Sequence, residues 1–143
     1  MSVVSSGILD TSTLILLARV TDRSSLPDEP LITAITLAEL SVGPLVATDE
    51  RTRAARQLHL QQAETDFDPV PFDTGAARRF GEVAASLRRK GRKPAARAFD
   101  AMIAAVALHV DLPVHTCNPE DFGNIDGLAV VAVPHPDHPS AMP

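Results

Sequence analysis

Four carboxylates lie where helices are expected to begin, and three of them follow a short apolar run that is typical of a buried strand. They are Asp10, Glu39, Asp100 and Asp121. One acid at a helix start is an ordinary cap, whereas four acids brought together would supply the oxygen ligands that Mg²⁺ or Mn²⁺ requires. One or two such cations support hydrolysis of phosphodiester bonds. The chemistry therefore depends on whether the fold brings these side chains together.

The elements predicted around the acids alternate between strands and helices. Short apolar runs predict strands at 3–9, 31–35, 70–72, 112–117 and 128–133. Helical patterns lie at 11–20, from 36 to a break or kink at Gly43 and Pro44, at 48–66, from 73 or 74 to about 90, and at 95–110. This alternation predicts a parallel α/β sheet covered on both faces. Ligand sites of such sheets lie beyond the carboxyl ends of the strands, where strand order reverses.

Each acid also has a purely structural interpretation. Asp10 could cap a helix, which is worth about 1 kcal/mol. Thr36 and Glu39 match a capping box, and Asp121 lies in a segment suited to a helix start. Asp100 is harder to explain in this way, because it borders an apolar stripe where an unpaired charge is costly. The alternative to a metal site is therefore a non-catalytic α/β binding module whose acids act only as helix caps.

A basic stretch between residues 88 and 97 contrasts with the formal net charge of −5 of the whole chain. It contains both lysines of the chain, and its cations are Arg88, Arg89, Lys90, Arg92, Lys93 and Arg97. One interpretation is a solvated helix end, where cations complement the helix dipole. The other is a phosphate-binding patch in which Arg92, Lys93 and Arg97 guide a substrate toward Asp100.

The aromatic side chains predict how a nucleic acid would be held. There is no Trp and no Tyr, and the phenylalanines lie in apolar contexts at Phe67, Phe72, Phe80, Phe99 and Phe122. Single-stranded RNA is usually read by stacking on exposed aromatics. Because all five are expected in the core, a bound nucleic acid would be held mainly through its phosphates.

Length and composition predict one soluble domain in a reducing cytoplasm. The 143 residues suffice for a real core, and the single cysteine, Cys117, cannot form an internal disulfide. The first residues lack the basic segment of a signal peptide, and no run is long and apolar enough to span a membrane. We therefore expect no membrane association.

Four short motifs, in this order, resemble the PIN-domain ribonucleases, in particular the VapC toxins of bacterial toxin–antitoxin pairs. They are ILDTS at 8–12, TLAEL at 36–40, FDAMIAA at 99–105 and TCNPEDF at 116–122. The resemblance covers about residues 3–133. It implies a three-layer PIN-like α/β sandwich, with a central, mostly parallel sheet and helices on both faces. The expected division is a single domain at 1–133 and a proline-rich tail at 134–143.

The resemblance also implies a function. Similar proteins are Mg²⁺- or Mn²⁺-dependent endoribonuclease toxins that cut transfer or ribosomal RNA. They form homodimers and are silenced by a small antitoxin whose tail covers the acidic pocket. The family's acidic positions match Asp10, Glu39, Asp100 and Asp121, with Glu120 as an alternative to the last, and the number of metal ions varies. The family's supporting polar positions match Ser12, Thr116 and Asn118.

Overall fold

The structure, a computed structural model, describes residues 4–93 and 97–138. Within these ranges a single parallel sheet is formed by β1 (Ser6–Leu9), β2 (Glu29–Leu31), β3 (Val114–Thr116) and β4 (Val130–Ala132). The α-helices are α1 (Thr11–Leu16), α2 (Ala34–Val46), α3 (Glu50–Asp66), α4 (Thr74–Arg89) and α5 (Ala98–Val110). Two short 3-10 helices follow α1 and β3, at Leu17–Arg19 and Pro119–Asp121. The predicted α/β architecture is confirmed.

The order of the strands creates a crevice at one edge of the sheet. The order is β2-β1-β3-β4, and all neighbours are parallel. Ile8 of β1 pairs with Leu31 of β2 on one side and with Val114 of β3 on the other. Because the chain passes from β1 outward to β2 and later returns to β3 on the opposite side, strand order reverses beside β1. Asp10 follows β1 and Thr116 ends β3, so both lie at this switch point.

Neighbouring residues of β1 face two separate layers of helices. Ile8 is fully buried in the larger core with α4 and α5, where Val83 and Ile103 are also buried. Leu9 is buried on the other face with Leu40 of α2 and Ala63 of α3. This alternation follows from the two-residue period of a strand. It confirms the predicted three layers, with helices on both faces of the sheet.

Helix α2 begins two residues earlier than predicted and runs past its proline. Thr33 is the N-cap, and its hydroxyl accepts a hydrogen bond from the Thr36 amide at 3.3 Å. A break or a kink was predicted at Gly43 and Pro44; the break is wrong, since the helix continues to Val46. Pro44 is buried, and Arg56 of α3 donates to the Gly43 carbonyl at 3.0 Å. Packing on α3 thus holds the helix across the missing proline N–H.

The apolar stripe of α5 is buried only in its middle. Ile103 and Val106 are fully buried, whereas Phe99 is 50% exposed and Val110 is 37% exposed. The prediction of a core position for Phe99 is therefore wrong. Burial along α5 therefore begins after Phe99 and ends before Val110.

Several expectations concern the ends of elements. Val70 forms only an isolated bridge with Thr33 rather than a strand. The predicted start of the last long helix at residue 95 and the tail residues 139–143 lie outside the described residues. The division into a domain at 1–133 and a tail stays a prediction.

Asp137 forms an ion pair with Arg19. Within the described ranges no helix is long and apolar enough to cross a membrane.

Candidate active site at the carboxyl edge of the sheet

Asp10 is the deepest of the four acids. It follows β1 and occupies the N-cap position of α1, yet its side chain makes no capping hydrogen bond. The residue is only 2% exposed, and Oδ2 accepts hydrogen bonds from the Ser12 and Thr116 hydroxyls, each at 3.1 Å. Within the described ranges, Oδ1 is buried without any hydrogen-bond partner. Burial raises the pKa of this carboxyl, although nearby hydroxyls oppose the shift.

A polar network behind Asp10 joins the ends of β1 and β3. The Asn118 side-chain amide donates to Ser12 Oγ at 3.1 Å, and the Asn118 backbone N–H donates to Thr116 Oγ1 at 2.9 Å. The structure thus brings Ser12, Thr116 and Asn118 together around one carboxylate oxygen. Thr13, which sequence reasoning missed, is fully buried and accepts from the Cys117 N–H at 2.9 Å. These hydrogen bonds fix the direction of the Asp10 side chain.

Glu39 lies in the second turn of α2 and faces the same crevice. The capping-box prediction is wrong because the helix starts at Ala34 with Thr33 as its cap. Glu39 instead accepts a 2.6 Å hydrogen bond from the Thr11 hydroxyl, which is also 2.9 Å from the Thr36 hydroxyl. Burial raises the pKa of Glu39, and the charge of Asp10 adds to the shift. Thr11 was also missed, although its place directly after Asp10 could have signalled it.

Asp100 shows that the acids share one electrostatic environment. It lies in the first turn of α5, and its side chain is 27% exposed. Burial and then the negative charges of Asp121, Asp10 and Glu39 raise its pKa to about 6, while Arg97 acts in the opposite direction. Four elements far apart in sequence therefore bring their carboxylates within electrostatic reach of each other.

Asp121 faces this pocket, whereas its neighbour Glu120 faces away. Asp121 has a side chain that is 23% exposed and forms an ion pair with Arg97, whose guanidinium also lies 3.8 Å from Asp100. Glu120 is exposed and borders a different cavity, together with Cys117 and His135. The geometry thus separates the two candidates for the fourth acid.

The cations of the basic stretch do not form one continuous patch. Arg97 lies in the acidic pocket. Arg89 and Lys90 form ion pairs with Asp126 at 2.9 and 2.6 Å. In the amide orientation that satisfies its neighbours, the side-chain oxygen of Asn124 accepts two hydrogen bonds from the Arg92 guanidinium, at 2.7 and 3.1 Å. Lys93 is exposed. Only part of the predicted phosphate patch therefore stands beside the acids.

The donor set suits a hard divalent cation. Carboxylate and hydroxyl oxygens converge, and the orphaned Asp10 Oδ1 is a buried acceptor that a cation would satisfy. In residues 4–93 and 97–138, no three His, Cys, Asp or Glu side chains already form a group that could hold a metal ion. Asp121 and Asp100 are instead engaged by Arg97. The pocket therefore has the oxygen ligands of a metal site, but their side chains are not arranged to coordinate a metal ion.

The chain is similar to known proteins over most of its length. Residues 7–128 match the PIN domain family. Ribonuclease VapC5 of Mycobacterium tuberculosis is 38% identical over 130 residues, covering 90% of this chain and 93% of the relative. A ribonuclease VapC of Rickettsia bellii is 30% identical over 133 residues, covering 91% and 98%.

A solved structure shows the same fold at similar coverage. It is a member of the VapBC family of toxin–antitoxin systems, VapBC-5 from Mycobacterium tuberculosis. The TM-score is 0.78 at 38% identity, and the match covers 90% of this chain and 99% of that one.

Proposed function

This chain belongs to the PIN domain family, and within it to the VapC ribonucleases, and we propose that Asp10, Glu39, Asp100 and Asp121 form its catalytic metal site. The proposal is carried by the buried, unpartnered Oδ1 of Asp10, in a pocket where the four acids lie within electrostatic reach of one another. Structural caps would have their oxygens on helix N–H groups. Asp10, at the cap position of α1, makes no such bond, although the Thr13 N–H lies near enough to oppose the rise in its pKa. The alternative is a non-catalytic module whose acids act as helix caps. It would require capping hydrogen bonds, and the Asp10 side chain makes none.

The residues have separable tasks in phosphodiester hydrolysis. The divalent cation supplies positive charge that stabilises phosphate oxygens and lowers the pKa of a water molecule. Asp10 is the central ligand, oriented by Ser12 and Thr116, while Thr11 holds Glu39 toward the same space. Asn118 fixes the Ser12 and Thr116 hydroxyls in turn. Such outer hydrogen bonds set the orientation of metal ligands.

The enzyme is a ribonuclease, and we propose Mg²⁺ as its cofactor with Mn²⁺ as a substitute. An all-oxygen donor set favours these hard ions over softer metals. We further propose structured cellular RNA, transfer or ribosomal, as the substrate, which would place the activity in the cytoplasm. The exposed Arg92 and Lys93 are proposed to contact its phosphates.

The partner is a small antitoxin protein, as in the toxin–antitoxin systems that the chain matches. We propose that an antitoxin segment occupies a groove of about 540 Å³ between α1, α2 and α3. Glu39 and Thr11 line one end of it, and Ala55 lies along its α3 wall. A toxin homodimer is proposed as the other half of the assembly. Ala55→Arg should weaken inhibition by the antitoxin and leave cleavage by the free toxin intact; unchanged inhibition would contradict the placement.

Cleavage of total cellular RNA by highly purified protein tests the proposed activity. Wild type should cleave with Mg²⁺ and stop when a chelator is added. Asp10→Asn should not cleave, although its circular dichroism and unfolding midpoint show a folded protein. Asp22→Asn is the matched control, because Asp22 is an exposed aspartate whose hydrogen bonds, in the part of the chain that the structure describes, come from Ser24. Full cleavage by Asp10→Asn would contradict the proposal, and sequencing of the RNA ends would identify the target.

A further inference from the structure

The guanidinium of Arg97 occupies the place where a cation is expected. It forms an ion pair with Asp121, and Nη1 lies 3.8 Å from Asp100 Oδ2. The three side chains are 41%, 23% and 27% exposed, respectively, so these contacts are partly shielded from water. Shielded pairs are stronger than the fully exposed ion pairs of a protein surface. Arg97 is thus a substantial partner for two of the four acids.

Arg97 is poorly suited to the helix position that it holds. It is the N-cap residue of α5 and makes no side-chain capping bond. Ser, Thr, Asp and Asn are preferred at this position, and a positive charge is unfavourable at the positive end of the helix dipole. A residue that opposes its local structure needs another reason to be there, and such conflicts concentrate at functional sites. Here the reason is the pair of carboxylates that it reaches.

We propose that Arg97 is a built-in counter-ion that holds Asp100 and Asp121 in the absence of metal and must leave before the cation binds. This inference rests on the proposed metal site. A guanidinium stays protonated at all physiological pH values, so it cannot be neutralised in place. It can only be displaced. Arg97 therefore lowers the affinity for metal and sets the concentration at which the site fills.

Displacement also explains two features of the pocket. Within residues 4–93 and 97–138, no three acids are arranged so that they could coordinate a metal ion, because Arg97 engages two of them. The charges on Asp121, Asp10 and Glu39 repel that on Asp100, while Arg97 is the cation that opposes them. Once released, Arg97 stands next to the site with a free guanidinium. It is then positioned for the phosphate contact predicted from the sequence.

Titration of the full chain with Mn²⁺, measured by calorimetry, tests the counter-ion role of Arg97 without measuring catalysis. Arg97→Gln should bind Mn²⁺ at least about tenfold more tightly than wild type, because the metal no longer competes with a charge. Arg97→Lys keeps the charge and should stay near wild type. The matched control is Arg79→Gln, which breaks another i,i+3 arginine–carboxylate pair, with Glu82, on the exposed side of α4. It corrects for the change in net charge.

The outcomes separate this inference from the proposed function. Arg97→Gln binding no more tightly than Arg79→Gln, while wild type binds and Asp10→Asn does not, would overturn the counter-ion role alone. Equal tightening in Arg97→Lys and Arg97→Gln would also overturn it, since charge would not be the cause. Failure of wild type and Arg97→Gln to bind Mn²⁺ at millimolar concentration would overturn both claims.

A second measurement covers a variant that does not fold. The Arg97→Gln protein should have a lower unfolding midpoint in chelator and recover it with Mn²⁺, because unscreened acids repel each other. If the variant fails to fold even with Mn²⁺, NMR of the wild type tests displacement instead. The side-chain N–H resonance of Arg97 is assigned by comparison with Arg97→Lys. That resonance should shift when Mg²⁺ is added. An unchanged resonance at saturating Mg²⁺ would overturn displacement.

Discussion

The acidic pocket and the loop at residues 124–126 treat their aspartates in opposite ways. In the pocket, burial and neighbouring acids raise the pKa of Asp100 to about 6. In the loop, hydrogen bonds from Lys90 and Arg89 lower the pKa of the exposed Asp126 to about 2. The first carboxylate is surrounded by like charge, and the second is satisfied by opposite charge.

This difference separates charges that bind from charges that stabilise. Asp126 and its two cations complete each other, so this part of the basic stretch has little left for a ligand. Among residues 4–93 and 97–138, Asp10 keeps a buried oxygen without a partner, and Asp100 has an arginine that it shares with Asp121. A fold retains such unsatisfied charges where a ligand completes them.

RNA cleavage should respond most strongly. Asp100→Asn should lower the rate at saturating Mg²⁺ by at least about a hundredfold, as removal of an electrostatic group at a reacting centre does. Asp126→Asn, the same chemical change outside the pocket, should stay within about twofold. Rates measured side by side on one RNA check this. Equal losses in both variants would mean that the pocket has no special role.

The next effect is on the residues behind Asp10. Thr116→Val keeps the side-chain shape but removes one of two donors to Asp10 Oδ2. Metal affinity should fall by about 10- to 100-fold, which is typical of a lost outer hydrogen bond. Mn²⁺ titration gives the value. Thr65→Val is the control, since its hydroxyl donates to the Gln61 carbonyl on exposed α3; a similar loss there would show that the network behind Asp10 does not set the metal affinity.

The third effect is on RNA affinity and divides the basic stretch itself. Replacing Arg92 and Lys93 by Gln should weaken binding to RNA and reduce the slope of log affinity against log salt by about one to two. Replacing Arg89 and Lys90 should change the slope less, because both are paired with Asp126. Filter binding in chelator at several salt concentrations measures both. Equal slopes in the two double variants would refute the division.

The smallest effect is on stability and has opposite signs in the two regions. Asp100 has a folded pKa above its ordinary value of 3.8, so ionisation destabilises the metal-free fold as pH rises from about 4 to 7. Asp100→Asn should therefore gain stability over wild type across that window. Asp126 has a folded pKa below 3.8, so its stabilisation is present at neutral pH and is lost as pH falls toward 2.

Unfolding of each variant in chelator, from pH 3 to pH 7, measures this pair of predictions. Asp126→Asn should be less stable than wild type at pH 7 and approach it in acid. A difference between Asp100→Asn and wild type that does not change from pH 4 to pH 7 would contradict the raised pKa.

The order of strands and helices could be predicted from the sequence because it depends on local periodicity. The α/β layering and the acids at strand ends followed from apolar runs such as the one before Asp10. The start of α2 could not be assigned correctly. Thr33 and Thr36 are both acceptable caps, and only the packed structure shows that Thr33 is used. With Thr33 as the cap, Glu39 accepts a hydrogen bond from Thr11 and does not complete a capping box.

Long-range contacts account for the other differences. The periodicity of α5 indicates a stripe but not where the neighbouring layer ends, so Phe99 was assigned to the core although it is half exposed. The basic stretch looked continuous, yet its cations contact Asp126, Asn124 and Asp121, which lie far along the chain. Such pairings depend on tertiary distance, which spacing in sequence does not contain.

Mn²⁺ titration of wild type and Asp10→Asn tests whether the acidic pocket binds metal through Asp10. Asp10 is the most buried acid and the only residue described with an unpartnered buried side-chain oxygen. We predict saturable binding to wild type and a loss of at least about a hundredfold in Asp10→Asn, with the fold retained. Equal Mn²⁺ binding by the two proteins would contradict the assignment of the acidic pocket as the metal site.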